Sequence, residues 1–247
     1  MDRMLYLAMN GAKHVMWQQA TTANNLANVH TNGFKADVVA FRALPVVGEG
    51  APTRTYVVDN TVGHDLSQGS LMHTGNTSDF AIGSKGFFAV QAPDGGEAYT
   101  RDGGYVLDAT GMMRTRSGLP IMGDGGPIVV PTGSRIQLGA DGSVVATPQS
   151  GTVRTPQLVG QIKMVNPGPK EVYKGEDGLF RINGGGNAAA DANVKLVPET
   201  LEASNVNSVE SLVQMISHAR QYDLNVRLMQ TAQQGDQQAA QLLSTNG

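Results

Sequence analysis

The stretch MLYLAMNGAKHVMWQQATTANNLANV, residues 4–29, decides the fold. Leu5, Ala8, Ala12, Val15, Gln19, Thr22, Leu26 and Val29 recur in steps of three and four. That is the seam of a helix packed on another helix. Met9, Met16, Ala20, Ala23 and Ala27 widen the apolar face, and Lys13 is the only formal charge in the stretch. An exposed helix ordinarily solvates its outer face with Lys and Glu. Here that work falls to Gln18, Gln19, Thr21, Asn24, Asn25 and Asn28. Amides can be covered by a partner without the desolvation cost of a charge. Two covered faces are therefore expected, one against a helix of the same chain and one against neighbouring molecules. The plainer alternative, a two-helix hairpin closing one domain, leaves the low charge unexplained. The run ends at Thr31-Asn32-Gly33, where Asn and Gly suit a left-handed cap or turn.

A matching helix is expected near the other end, over about 208–243. Leu212, Met215, Ala219, Tyr222, Val226 and Met229 form its seam, with Ser208 as N-cap. Its polar positions are again amides, among them Gln214, Gln221, Gln230, Gln233 and Gln237. Between the helices the chain changes character. All 11 prolines lie between Pro45 and Pro198, and of 31 glycines only Gly11, Gly33, Gly235 and Gly247 fall outside Gly48–Gly186. Such breakers preclude long helices there. Short runs such as Phe87–Val90, Tyr105–Leu107, Ile128–Val130, Ile136–Leu138, Val144–Ala146, Leu158–Val165 and Leu179–Ile182 read as strands. Asp108-Ala-Thr-Gly111 and Gly139-Ala-Asp-Gly142 read as hairpin connections.

The expected fold is α+β. N- and C-terminal helices form a coiled-coil-like helical layer, and the centre is a mostly antiparallel β domain. Residues 1–33 are the N-terminal helix of a discontinuous helical domain, and residues 34–75 an extended, partly β connecting arm. Residues 76–198 are the central β domain, and residues 199–247 complete the helical domain. The 247 residues suffice for such a plan.

Composition removes several functional classes. Charged residues make up 16% and the net charge is −3. There is no basic stripe for nucleic acid. With no cysteine, disulfides and thiolate metal sites are excluded. His14, His30, His64, His73 and His218 form no HExxH and no zinc-like pair; His14 and His218 read as surface or interface residues. No GxSxG elbow, phosphate loop or calcium loop is present. Asp102, Asp108 and Asp124 read as turn residues. No apolar run reaches the roughly 20 residues of a membrane span, and the first residues lack the pattern of a cleaved secretory signal. No catalytic residue, cofactor site, metal site or small-molecule substrate is expected.

Four ordered segments resemble the bacterial flagellar basal-body rod and hook family. They are Asn24-Asn-Leu-Ala-Asn-Val-His-Thr-Asn-Gly-Phe-Lys35; Thr74-Gly-Asn-Thr-Ser-Asp-Phe-Ala-Ile82 with Gly86-Phe-Phe88; Tyr99-Thr-Arg-Asp-Gly103 with Asp108, Gly111 and Gly118; and Leu201-Glu-Ala-Ser-Asn-Val-Asn207 leading to Met215-Ile216, Arg220 and Tyr222. Thr77-Ser78 stands where the family usually has Pro-Leu. The opening Met1-Asp-Arg-Met-Leu-Tyr6, Ala40-Phe-Arg-Ala-Leu-Pro-Val46 and Thr53-Arg-Thr55 most resemble the proximal-rod members. The resemblance implies a structural, non-enzymatic subunit of the rod that crosses the periplasm. It implies self-assembly with other rod proteins into a helical drive shaft carrying torque from motor to hook, for motility. It also implies export through the flagellar type III apparatus without a cleaved signal, and no membrane insertion. Three alternatives stand: a distal-rod or hook subunit, a secreted β-rich adhesin or phage-tail-like filament protein, and a secreted β-rich enzyme with helical flanks. The residues expected at subunit contacts are Leu5, Ala8, Ala12, Val15, Trp17, Gln19, Asn24, Asn25, Leu26, Asn28, Phe34, Leu212, Met215, Ala219, Tyr222, Val226 and Met229.

Overall fold

The computed structural model describes residues 2–45, 55–149 and 155–245. Residues 46–54 of the connecting arm, with Val46, Thr53 and Arg54 of the quoted segments, lie outside the described residues. The chain divides into two compact units, a helical unit within residues 1–28, 37–63 and 206–247 and a β unit within residues 29–36 and 64–205. The fold is α+β, as the breaker distribution predicts.

The helical unit holds α1 (Asp2–Ala27), α2 (Ser208–Thr245) and a two-stranded sheet of Asp37–Pro45 and Thr55–His64. Helix α1 closes where the Asn28 N–H donates to the carbonyls of Asn24 at 3.2 Å and Asn25 at 3.1 Å, while Asn28 Nδ2 donates to Asn24 O at 2.9 Å. Helix α2 is capped by Asn207, which corrects the expectation for Ser208. The Asn207 Oδ1 accepts from the N–H of Val209 at 3.0 Å and of Glu210 at 3.3 Å. An Asx oxygen reaches the second and third helical N–H only from the residue before the first turn, and Ser208 is already helical. Glu210 adds a carboxylate at the positive end of the helix dipole.

In the β unit every strand pairing is antiparallel. A five-stranded sheet runs in the order Met164–Val165, Phe87–Gln91, Glu97–Thr100, Phe180–Ile182, Val172–Lys174. A three-stranded sheet joins Ser134–Leu138, Ser143–Pro148 and Gln157–Gln161, with a bulge at Val144/Val145. The run expected as one strand over Leu158–Val165 is broken into Gln157–Gln161 and Met164–Val165, which serve different sheets. Ile128–Val130 forms no strand of its own, and Val129 makes a single bridge to Met112. The Asp108–Gly111 and Gly139–Gly142 turns form as expected. Gly111 and Gly142 take φ of 83° and 86°, which a side chain would resist.

One core cluster gathers Phe80, Ile82, Phe88, Tyr105, Met113 and Ile121 with their neighbours. Phe80 and Phe88 meet edge to face, centroids 4.7 Å apart, an arrangement worth about 0.5–1.5 kcal/mol beyond area burial. A second cluster centres on Phe87, Tyr99 and Phe180. The Tyr99 hydroxyl donates to Glu97 Oε1 at 2.8 Å and accepts from the Ala188 N–H at 2.6 Å. Burial, with Glu97 beside it, pushes the phenol up to about 12. A phenol whose pKa is raised on folding stabilises fully below the unfolded value near 10, and the contribution is lost as pH rises through about 12. Ultraviolet titration of the six tyrosines is therefore expected to show a late phenolate step near pH 12 that Tyr99→Phe removes, while Tyr105, which burial also raises, still titrates above the ordinary phenol value.

Candidate subunit interface

In the helical unit the α1 seam is as expected on its inner face. Ala8, Ala12, Val15 and Thr22 are buried, and Leu5, Gln19 and Leu26 are half-buried. Gly11 faces α2, where a Cβ would lie 2.9 Å from Asn225 Oδ1. On α2 the protected line is Ser211, Met215, His218, Tyr222, Asn225, Val226, Met229 and Ala232. Met215, Tyr222, Val226 and Met229 thus lie where the periodicity puts them. Leu212 and Ala219 do not share that line; both are exposed. They lie one position, about 100°, from Ser211 and His218, which do share it; a small polar residue and a histidine hold those inner positions, and an apolar repeat does not register them.

The far side of α2 carries a second apolar set, interrupted by the exposed Arg220 and Arg227. Val209, Leu212, Val213, Ile216, Leu224 and Leu228 are all exposed, Val209 to 69%. At 100° per residue they centre about 180° from the protected line. The far side of α1 carries Tyr6, Met9, Met16 and Trp17, likewise exposed. Trp17 stands beside Lys13, whose Nζ lies 4.6 Å from its ring. Helix α2 has 38 residues against 26 for α1, so about 18 Å of it outruns its partner at any alignment. Exposed apolar stripes of this kind are characteristic of interaction surfaces. The second stripe, Val209, Val213, Ile216, Leu224 and Leu228, follows helical spacing in the sequence with Arg220 standing in the gap between Ile216 and Leu224, a break that makes it less legible than the first.

The polar contact residues divide. Asn25 is spent inside the unit: its Nδ2 donates to Asp37 O and its Oδ1 accepts from the Asp37 N–H, both at 2.9 Å. Asn28 helps close α1, and Asn24 is exposed. His14 is buried, its ring edge-on to Trp17 at 5.8 Å and Phe41 at 5.5 Å, so it belongs to the interior of the helical unit rather than to its surface. In the β unit Phe34 is half-buried, with Lys174 Nζ over its ring at 3.9 Å.

The β unit also holds a buried charge cluster that the sequence does not announce. Lys35 Nζ meets Glu202 Oε1 at 2.5 Å and Arg101 Nη1 meets Glu202 Oε2 at 2.7 Å. The Gly69 N–H donates to Glu202 Oε1 at 3.0 Å, Lys35 Nζ donates to Ser67 O at 2.6 Å, and Arg101 Nη2 donates to Ser84 O at 2.9 Å. Loss of water pulls the Lys35 ammonium below the ordinary lysine value, against the opposing pull of Glu202. Gly33, at φ 68°, passes so close that a Cβ would lie 2.4 Å from the Arg101 carbonyl carbon, and its N–H donates to Glu202 O at 2.8 Å. The cluster thus fastens the segment entering the β unit to the one leaving it. The remaining carboxylates singled out in the sequence have structural tasks. Asp108 accepts from Thr110 and from the Met112 N–H and pairs with Arg114 at 2.8 Å, which holds its carboxyl well below the usual range.

Three family models match the chain: "Flagella basal body rod protein" over residues 5–35, "Flagellar hook protein FlgE/F/G D1 domain" over 81–146, and "Flagellar basal body rod FlgEFG protein C-terminal" over 197–242. Lys35, Arg101 and Glu202 come one from each. The chain is 40% identical over 250 residues to the flagellar basal-body rod protein FlgF of Salmonella typhimurium, covering 99% of both chains. It is 39% identical to FlgF of Escherichia coli, again over 99% of both. The flagellar basal-body rod protein FlgG of Buchnera aphidicola (subsp. Schizaphis graminum) is 33% identical over 96% of this chain and 98% of its own.

Proposed function

Because the chain belongs to the flagellar basal-body rod protein family, we propose that its two helices build the subunit contacts of a rod that the chain forms with copies of itself and other rod proteins. The chain is a structural rod subunit of the flagellar basal body. Its contribution is mechanical: it passes torque along a helical shaft, with no catalytic step. The observation that carries this reading is the pair of exposed apolar faces on α1 and α2. A head-to-tail contact that does not close on itself generates an open helical filament, and such a contact needs an unfilled face on each copy. Leu212, Ala219 and Trp17 serve the outer contacts in this reading. Ala8, Ala12, Val15, Met215, Tyr222, Val226 and Met229 hold the helix pair that presents them. We place the subunit in the proximal part of the rod, which its 40% and 39% identity over 99% of both chains to FlgF of Salmonella typhimurium and Escherichia coli supports. Delivery across the inner membrane falls to the flagellar type III export apparatus, without cleavage.

Fractionation tests this directly. Detergent-purified hook–basal bodies are expected to contain the chain at its full length by immunoblot and mass spectrometry. Recovery only from the cytoplasm or the culture medium, with basal bodies devoid of it, would overturn the rod assignment. Recovery in the hook fraction after the rod is removed would move it to the distal position.

A further inference from the structure

Beside the buried charge cluster the β unit carries a cavity of about 430 Å³. Leu66, Phe87, Pro167 and Pro169 supply apolar wall, Lys85 stands exposed at the rim, and Arg101 is buried. We propose that this cavity receives the carboxylate side chain of an acidic peptide segment.

The charge balance carries the case. Glu202 is shared between Lys35 and Arg101, so one carboxylate answers two cations. Lys85 adds a third positive group, and no Asp or Glu lines the cavity. The further carboxylate that acts on Lys35 is Asp65, itself exposed and accepting from the Ser67 N–H at 2.9 Å. Arg101 also has donors in hand. A guanidinium offers five N–H groups; the bonds to Glu202 and Ser84 occupy Nη1 and Nη2, and the Nε, buried, has no hydrogen-bond partner. A buried donor left unmade is costly, and a charge-assisted bond to a carboxylate is the strong way to satisfy it. The apolar walls suit the methylene stem of such a side chain. They select against a bare inorganic anion, which would gain nothing from them. None of the lining residues is among those assigned to the rod contacts, and the test uses the unassembled full-length chain.

The probe is N-acetyl-glutamate N-methylamide, followed by the Arg101 Nε–Hε signal in 15N-labelled protein. A saturable shift is expected, with the glutamine analogue giving none. Lys85→Gln, an exposed substitution, is expected to weaken the probe about fivefold, the range of a half-exposed ion pair, with an unchanged melting curve. Equal shifts from both analogues, no saturable shift, tighter binding by inorganic phosphate, or an unaltered affinity in Lys85→Gln would each overturn the proposal.

Discussion

Glutamine in place of Glu202 is expected to cost the β unit about 3–5 kcal/mol of stability. The side chain is fully buried, and it is the one carboxylate bonded to both Lys35 and Arg101. The amide keeps the shape but removes the charge, leaving two desolvated cations facing each other. It also replaces one acceptor oxygen with an NH2 group among donors, since Lys35 Nζ, the Gly69 N–H and Arg101 Nη1 all point at this carboxylate. The check is a urea melt followed by the β signal in circular dichroism. A triple replacement, Lys35→Met, Arg101→Met and Glu202→Leu, is expected to fall well short of the single change, because apolar side chains of similar volume carry no desolvation penalty. A Glu202→Gln variant that loses less than about 1 kcal/mol would mean water screens the cluster, contrary to its burial.

Aspartate at Ile216 or Leu224 is expected to abolish swimming while leaving the free protein as stable as before. These side chains are 57% and 59% exposed in the isolated chain, and surface changes of this kind ordinarily move stability by no more than about 0.5 kcal/mol. Against a covering apolar surface the same carboxylate would be buried with only Arg220, four residues away on the same face, to pair with, and taking such a pair out of water still costs several kcal/mol for each contact. A filament repeats that contact at every copy, so the penalty multiplies along the rod. Soft-agar motility together with electron microscopy of basal bodies reads the outcome. The inner-face change Val15→Asp should instead weaken the free helical unit itself, since Val15 is buried there. The contrast between the two faces separates an assembly defect from a folding defect.

Much of this architecture is local and was legible. Helix α1 spans Asp2–Ala27 and α2 Ser208–Thr245 because proline and glycine are scarce at the ends and the three-four repeat is long. The near-absence of charge on α1 is legible, and the second covered face it suggests stands as an expectation. Leu212 and Ala219 read as part of the inner seam, although both are exposed and lie to its side. The N-cap moved by one residue, from Ser208 to Asn207, because both residue types cap and only the bond geometry chooses. The β unit was legible as β structure but not as a set of sheets. Strands of two or three residues, such as Met122–Gly123 and Met164–Val165, carry no periodicity to read. The Lys35–Glu202–Arg101 cluster was the hardest to see. Its members stand 167 and 101 residues apart, and nothing in the neighbourhood of each marks it as buried. All three sit in quoted segments, yet the role that unites them exists only in the fold.

The central claim, that the outward helix faces are subunit contacts in the rod, is most directly tested by photo-crosslinking in flagellated cells. A benzophenone side chain is placed at Ile216 in one strain, and in another at Asp124, which is exposed in a turn of the β unit. The expected result is a covalent adduct between position 216 and a second rod subunit, in basal bodies and not in the unassembled protein, with markedly less adduct from position 124. Assembled, motile rods in which position 216 gives no adduct would contradict the account.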